Sequence, residues 1–302
     1  MTRELLTAIH GSASVTASLT SSVRNYNWEH GRRYHSFKEG TYNFPNDERE
    51  QDRYDLMHEV FVAGMGDKLY FAPIVNEPSR VLDIGTGTGV WAIQFGDKFP
   101  TAQVVGNDLS PIQPQWLPPN VSFEVDDVES DWQFARPFDF IHARYMAGAI
   151  ADWPKLMHQC YENTAPGGWI EFQDFDLRTY TQDNSAAPDN KVVEFFKLIT
   201  EACEKFGRTA SPGESLKTWV EEAGFVNVQD KVVKLPIAPW PKDEQLKRVG
   251  ALNMVQLLEG LEAVTIVPFT KVLGWSVEDV HAFLVDVRRD LKKKSVHLLH
   301  DL

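Results

Sequence analysis

The chain has 302 residues, of which 43% are hydrophobic, and its 30 lysines and arginines are outnumbered by 43 aspartates and glutamates, giving a net charge of −13. This acidic composition disfavours a nucleic-acid substrate because it repels phosphate backbones, and the sequence contains no apolar run of the roughly 18 residues that a membrane span requires. Two cysteines, Cys160 and Cys203, are too few for a disulfide framework or a zinc cluster, so we expect a cytoplasmic or nuclear protein without a metal site.

The N-terminal quarter of the chain divides into two parts. Residues 1–24 are poor in aromatic residues, and we predict a flexible N-terminus there. Residues 25–76 form a predicted cap or lid, which begins with the aromatic and basic stretch "NYNWEHGRRYHSFKEGTYNFP" and continues with a helix over 46–66. Asp47, followed by Glu50 three positions later, is a capping signal for the start of that helix.

The next part of the chain, residues 77–240, alternates between short apolar runs and amphipathic stretches. The predicted strands cover 80–85, 102–108, 121–127, 138–144, 167–176 and 226–237, and the predicted helices cover 89–99, 152–164, 190–207 and 212–225. Such alternation favours an α/β fold with a Rossmann-like, doubly wound parallel sheet. Residues 186–210 are a predicted helical insertion, and residues 241–302 add further helices and a last strand to the same domain.

Three glycines, Gly85, Gly87 and Gly89, stand between the first of these strands and the helix after it. Glycine lets a ligand approach the backbone closely, and the free N–H groups at a helix N-terminus bind a pyrophosphate or a carboxylate. The fingerprint of dinucleotide-binding proteins is G-x-G-x-x-G/A, whereas this turn is G-x-G-x-G with Val90 at the last fingerprint position. A nicotinamide cofactor is therefore disfavoured.

Acidic residues end the three strands nearest this turn. Asp83 lies two positions before Gly85, where a carboxylate repels a pyrophosphate and attracts a sulfonium or an ammonium group. S-adenosylmethionine carries both cations and no phosphate, so this position favours it as the cofactor. Asp108 ends the next strand and suits a ribose diol. Asp126 and Asp127 end the third strand, where a carboxylate can accept a hydrogen bond from an adenine amino group.

Two histidines are candidates for a base that removes a proton from an acceptor. His142 lies at the carboxyl end of the predicted strand over 138–144, and His35 lies in the predicted lid. The ordinary histidine pKa of about 6.5 suits proton removal near neutrality. In the alternative interpretation, either histidine only hydrogen-bonds the backbone or the cofactor. The aromatic residues of the lid likewise either wall a pocket for a flat apolar acceptor or form the core of the cap.

Several stretches of the chain together resemble the class I S-adenosylmethionine-dependent methyltransferases, and most closely the fungal LaeA-type branch, which is associated with secondary metabolism. These stretches are "EHGRRYH", "VLDIGTGTGVWAI", "DLSPIQPQWLPPNVSFEVDD", "FDFIHARYMAGAIADWPKL", "PGGWIEFQDFD" and "GRTASPGESLKTWVEEAGF". The resemblance implies a methyltransferase enzyme of the class I fold, with an N-terminal helical and aromatic cap and a C-terminal helical addition. Because relatives continue beyond "SVHLLHDL" with an apolar strand and a short basic tail, the resemblance implies either an incomplete last strand of the sheet or a trimmed C-terminus here.

The resemblance also implies roles for individual residues toward S-adenosylmethionine. It assigns the methionine part of the cofactor to Asp83 and the three glycines, and the ribose hydroxyls to Asp108. It assigns the adenine ring to Asp126, Asp127 and Val128. The other implied cofactor contacts are Leu109 beside Asp108, His142 and Arg144 beneath the sulfonium, and Arg33, Tyr34 and His35 in the lid.

Three hypotheses for the function follow. The leading one is an in-line transfer of the methyl group to a hydroxyl, or another heteroatom, of a small secondary metabolite. The second is a LaeA-like regulator of secondary metabolism that acts through protein partners or on a protein acceptor. The third is a cofactor-binding fold that catalyses a different reaction. A closed aromatic pocket beside the cofactor favours the first, a shallow groove the second, and a pocket without a path for a nucleophile the third.

Overall fold

The computed structural model describes residues 26–302, so the predicted flexible N-terminus over 1–24 lies outside the described residues. The described chain begins with a small hairpin of two antiparallel strands, β1 (Asn27–Glu29) and β2 (Arg32–Tyr34). Helix α1 (Glu48–Gly64) follows, and at its start the Asp47 side chain accepts a hydrogen bond from the backbone N–H of Glu50. The capping signal predicted from the sequence is therefore confirmed.

Five parallel strands form the central sheet, in the spatial order β5-β4-β3-β6-β7. Their bounds are β3 (Arg80–Ile84), β4 (Gln103–Asp108), β5 (Val121–Val125), β6 (Phe138–Arg144) and β7 (Thr164–Gln173). The sheet confirms the predicted Rossmann-like, doubly wound fold. The strand order reverses at β3, which pairs with β4 on one side and β6 on the other. In open α/β sheets, the crevice at the carboxyl ends of such strands is where ligands bind.

Helices cover both faces of this sheet. Helix α2 (Val90–Lys98) packs on one face, and α3 (Trp153–Glu162) and α5 (Gly213–Glu222) pack on the other. The chain also contains α4 (Lys191–Lys205), α6 (Glu244–Gly260) and α7 (Val277–Leu291), with a short π-helical segment over Pro268–Val272. Successive side chains of a strand point to opposite faces. Val81 of β3 accordingly packs with Trp91 of α2, while its neighbour Leu82 packs with Leu156 of α3. All four of these side chains are buried.

A second, antiparallel sheet lies beyond the central one. It consists of β8 (Asp176–Thr181), β10 (Leu298–Asp301) and β9 (Lys234–Pro236), in that spatial order. The predicted strand over 226–237 is correct for β9 alone. Residues 226–233 form no strand, although valines recur along them, because the segment meets the chain that continues β10 only at Val233, which exchanges backbone hydrogen bonds with Leu302. Val226 and Val232 remain exposed as a result.

The cap and the C-terminal addition pack against each other over the carboxyl ends of the central sheet. Met57 and Phe61 of α1 share a buried cluster with Val249 of α6. Helices α4 and α7 and the π-helical segment form another cluster, in which Phe195, Phe269 and Leu284 are buried. Among the described residues, no helix combines the length and the apolar character that crossing a bilayer would demand.

Candidate functional site

A cavity opens at the carboxyl ends of the central strands, where the strand order reverses. We call it the first chamber. Its sheet side is lined by Asp83, Gly85, Gly87, Asp108, Leu109, Asp126, Asp127, Val128, His142 and Arg144, and its cap side by His35, Tyr42, Phe44, Tyr54, Met57 and His58. The structure thus brings together most of the residues that the sequence analysis singled out.

Three of the predicted residues do not line the first chamber. Gly89 lies behind it as the N-cap of α2. Arg33 is engaged within the cap, where its guanidinium donates to the side chains of Asn46 and Glu48. Tyr34 is buried in the cap, and burial raises the pKa of its phenol to about 12.

The glycine turn needs glycine for two different physical reasons. The backbone of Gly85 has φ = +61°, and a Cβ there would collide with the sulfur of Met146. The backbone of Gly87 has φ = +57°, but a Cβ there would meet no atom within 4 Å. Gly85 is therefore required by conformation and packing, and Gly87 by conformation alone. The open space beside Gly87 is the space that a ligand at this turn would enter.

Asp108 links the end of β4 to the glycine turn. Its carboxylate accepts hydrogen bonds from the backbone N–H groups of Gly87 and Ser110, each at 2.9 Å. Burial raises the pKa of Asp108 to about 6, against the lowering effect of these two donors. Asp127, at the end of β5, is held mainly by its own loop, where it accepts from the backbone N–H of Glu129 and the hydroxyl of Ser130.

Asp83 and His142 form a buried pair on neighbouring strands. Asp83 Oδ1 lies 2.7 Å from His142 Nδ1, and Asp83 Oδ2 accepts from the hydroxyl of Thr86 at 2.6 Å. Because a carboxylate only accepts, His142 Nδ1 carries the hydrogen. The imidazole is fully buried and stacks on the Trp91 ring, with 3.7 Å between the ring centroids. Its Nε2 has no hydrogen-bond partner within residues 26–302.

Arg144 and His58 form a second polar pair in the wall of the first chamber. Arg144 Nη2 donates to His58 Nδ1 at 2.8 Å, and His58 Nε2 then donates to Gln94 Oε1 at 3.1 Å. Burial, reinforced by the Arg144 charge, lowers the pKa of His58 to about 4, and burial lowers the pKa of Arg144 to about 10. The sequence analysis missed His58, because no local pattern links it to a residue 86 positions away.

His35 of the cap lines the first chamber with two ring nitrogens, Nδ1 and Nε2. The side chain is buried, and neither ring nitrogen has a hydrogen-bond partner in the described part of the chain. Its ring centroid lies 6.1 Å from that of Tyr42. Burial lowers the pKa of His35, so the imidazole is neutral at neutral pH and one nitrogen is free to accept a proton.

A second chamber adjoins the first beneath the C-terminal addition. Its own lining includes Arg53, Phe175, Phe195, Phe196, Ile199, Cys203, Ala210, Gln256, Leu257, Leu261 and His300. Four residues line both chambers and form their boundary, namely Tyr42, Phe44, Met57 and Tyr145. None of the aromatic residues at this boundary was assigned a role at the cofactor from the sequence.

Tyr145 is held at this boundary by an unusual backbone conformation. It directly follows β6 and has φ = +60°, a left-handed conformation that L residues other than glycine rarely adopt. Its N–H donates to the carbonyl oxygen of Gln173, and its hydroxyl accepts from Arg53 Nη1 at 3.3 Å. Strain of this kind persists where the surroundings enforce it, which is common at functional sites.

Comparison with known proteins identifies the family. The methyltransferase domain family matches residues 56–230. The chain is 48% identical over 289 residues to the methyltransferase pytC of Aspergillus terreus, covering 95% of this chain and 89% of that protein. It is also 36% identical over 288 residues to the secondary metabolism regulator LAE1 of Cochliobolus heterostrophus, covering 93% and 94% of the two chains.

The chain belongs to the methyltransferase domain family. The predicted class I methyltransferase with a LaeA-like relationship is confirmed, and with it the cofactor S-adenosylmethionine. Among solved structures, the comparison matches the N-methyltransferase NodS of Bradyrhizobium japonicum in complex with S-adenosylhomocysteine. It has a TM-score of 0.37 and 14% identity, and the match covers 76% of this chain and 92% of that chain.

The side chains of the methyltransferase's first chamber fit this cofactor chemically. The wall presents the carboxylate of Asp83 to a ligand that carries a sulfonium and an ammonium group. It also presents a guanidinium nitrogen, Arg144 Nη1, that is buried without a partner among the described residues, as a donor for a carboxylate. A ligand that is cationic at one end and carries a carboxylate satisfies both groups.

Proposed function

We propose that this methyltransferase transfers the methyl group to a hydroxyl, or another heteroatom, of a small secondary metabolite. The observation that supports the proposal is the second chamber, which adjoins the first and is lined mainly by buried aromatic and aliphatic side chains. Phe195, Phe196 and Leu261 in its wall are each at most 5% exposed. A concave apolar site of this kind suits a small organic molecule.

In this proposal the first chamber holds the cofactor. Asp83 faces its cationic groups, Arg144 donates to its carboxylate, and Asp108 accepts from its ribose hydroxyls. Asp126, Asp127 and Val128 bracket the adenine ring. When bound, S-adenosylmethionine supplies a methyl group on a sulfonium sulfur, which keeps the bonding electron pair as the new bond to the acceptor forms.

His35 is the proposed base for an acceptor hydroxyl. As the acceptor oxygen bonds to the methyl carbon and the carbon–sulfur bond breaks, a ring nitrogen of His35 takes the hydroxyl proton, which balances the charge. The support is that His35 is buried, neutral and without a partner among residues 26–302, close to Tyr42 at the boundary of the chambers. General-base help of this kind contributes roughly 10²–10⁴-fold to rate.

Unlike His35, His142 already has protein partners, and we propose that it positions Asp83 rather than acting as the base. Its Nδ1 is committed to Asp83 and its ring is fixed on Trp91, so it holds the Asp83 carboxylate in place beneath the cofactor. Its Nε2 has no hydrogen-bond partner among the residues that the structure describes, so direct base catalysis by His142 is the alternative that substitution of the two histidines tests. Both cysteines are free and buried, in keeping with the proposed cytoplasmic or nuclear location.

The second candidate function is regulation through a protein partner or a protein acceptor. The observation in its favour is the 36% identity to a protein named as a secondary metabolism regulator. The two candidates differ in where the methyl group goes. We would incubate the protein with methyl-labelled S-adenosylmethionine and either a small-molecule extract or the protein fraction of the same cells. Label in extractable small molecules supports the first candidate, and label found in protein alone overturns it in favour of the second.

The cofactor site has a separate test. We expect calorimetry with S-adenosylhomocysteine and S-adenosylmethionine to show binding to the wild type. Asp83→Asn should weaken S-adenosylmethionine binding about tenfold or more, because it removes the charge opposite the sulfonium. Asp97→Asn, an exposed aspartate on α2, is the matched control and should bind as the wild type does. Equal affinity in the two variants would remove Asp83 from the proposed site.

A further inference from the structure

Arg53 carries the charge in the second chamber, and Glu50 neutralises it. Among the described residues that line the chamber, Arg53 is the charged one, and its side chain is 4% exposed. Its Nε and Nη2 donate to Glu50 Oε1 at 2.9 and 2.7 Å, and its Nη1 donates to Gln256 Oε1 at 3.1 Å. Glu50 is 1% exposed. The chamber therefore presents an ion pair with its hydrogen bonds made, rather than a free cation.

Three further titratable groups of this lining, His300, Cys203 and Tyr42, are uncharged near neutral pH. Burial lowers the pKa of His300 to about 3, and its Nε2 lies 2.7 Å from the hydroxyl of Thr179. Burial raises the pKa of the Cys203 thiol to about 11 and raises that of Tyr42 well above its usual range. A charged acceptor placed here would lose its hydration without gaining a counter-ion.

The boundary between the chambers offers neutral hydroxyls instead. Tyr145 Oη accepts from Arg53, which leaves its own hydrogen available for a ligand. Tyr42 Oη lies 3.3 Å from Tyr54 Oη, so the Tyr42 hydroxyl is part of a neutral pair. These groups can orient an oxygen atom at the boundary, while the apolar walls beyond them can receive a hydrocarbon body.

We infer that the methyl acceptor is an uncharged molecule with an apolar, ring-containing body in the second chamber and a hydroxyl at its boundary. Carboxylated and phosphorylated acceptors are excluded from this site. The inference rests on the proposed function, since it places the acceptor beside the cofactor. It also assigns acceptor specificity to the C-terminal addition and the insertion, because α4 and α6 supply Phe195, Phe196 and Leu257 to the wall.

The test compares two probes that differ by one carboxylate. Calorimetry with protein saturated with S-adenosylhomocysteine would measure the binding of 2-naphthol and of 6-hydroxy-2-naphthoate. We expect 2-naphthol to bind and the carboxylate to bind at least about tenfold more weakly. Equal binding of the two probes, or no binding of 2-naphthol, overturns the inference. If the wild-type protein does not bind S-adenosylhomocysteine at all, the result counts against the proposed function instead.

A variant with a larger side chain in the second chamber tests whether 2-naphthol binds there. Ala210 is 1% exposed and lines the second chamber, so Ala210→Leu should weaken 2-naphthol binding about tenfold while S-adenosylhomocysteine affinity stays within about twofold. Ala187→Leu, at an exposed position of the same insertion, is the matched control. Should Ala210→Leu fold poorly, Leu257→Trp fills the chamber from α6. Unchanged 2-naphthol affinity in a filling variant that still binds S-adenosylhomocysteine places the probe elsewhere and overturns the inference.

Discussion

Arg53 and Glu50 form a buried ion pair within α1, and Arg53 also links this helix of the cap to the C-terminal addition. Both side chains are almost completely buried, and Arg53 extends the connection from α1 to α6 through Gln256. Substitution of Arg53 by methionine keeps much of the side-chain volume and removes the charge. The carboxylate of Glu50 is then left buried without its main partner.

The expected loss of stability follows from this burial. Removing one partner of a buried ion pair costs about 3–5 kcal/mol, because the remaining charge is uncompensated. Arg32 Nη2 lies 3.6 Å from Glu50 Oε2 and compensates part of that charge, so we expect a value near the lower end, about 3 kcal/mol. Arg49 offers a matched control on the same helix. Its pair with Glu259 also joins α1 to α6, but both side chains are more than half exposed, so Arg49→Met should cost at most about 1 kcal/mol.

The free energies of unfolding would be measured by urea denaturation followed by circular dichroism. The double variant Glu50→Met/Arg53→Met should recover most of the loss, because it removes the stranded carboxylate as well. The reasoning is refuted if Arg53→Met destabilises no more than Arg49→Met does. It is also refuted if the double variant is less stable than Arg53→Met alone.

Two further predictions concern histidines of the first chamber. Because burial lowers the pKa of His58 to about 4, the unfolded chain gains a proton as the pH falls below about 6.5 while the folded protein does not. Between pH 6 and 4.5 the unfolding free energy of the wild type should therefore fall by about 1.2 kcal/mol per pH unit more than that of His58→Gln, and an equal pH dependence of the two unfolding free energies would contradict this. His35→Ala should lower turnover by roughly 10²-fold or more with little change in S-adenosylhomocysteine affinity, whereas His142→Ala should weaken that affinity. Turnover that survives in His35→Ala but is lost in His142→Ala would exchange the two proposed roles.

Much of the cofactor side of the site could be predicted from the sequence because it is local. The glycine turn, Asp83 before it and Asp108 at the next strand end follow from the order of strand, turn and helix along the chain. In a parallel sheet these strand ends meet at one edge, so a correct strand assignment already brings their side chains together. The structure adds that Gly87 and Asp108, 21 residues apart, are hydrogen-bonded.

The acceptor side was decided by tertiary packing. His58 reaches Arg144 because α1 packs over the end of β6. Helices α4 and α6 close the second chamber because the insertion and the C-terminal addition pack beside α1. The strand predicted over 226–237 forms only over β9, since strand formation requires a partner, which β9 finds in β10. Periodicity records which side of an element is buried, but not which element buries it. The sequence by itself therefore determined the methyltransferase fold and its cofactor, while the packing of distant segments decided the shape and neutrality of the chamber beside it.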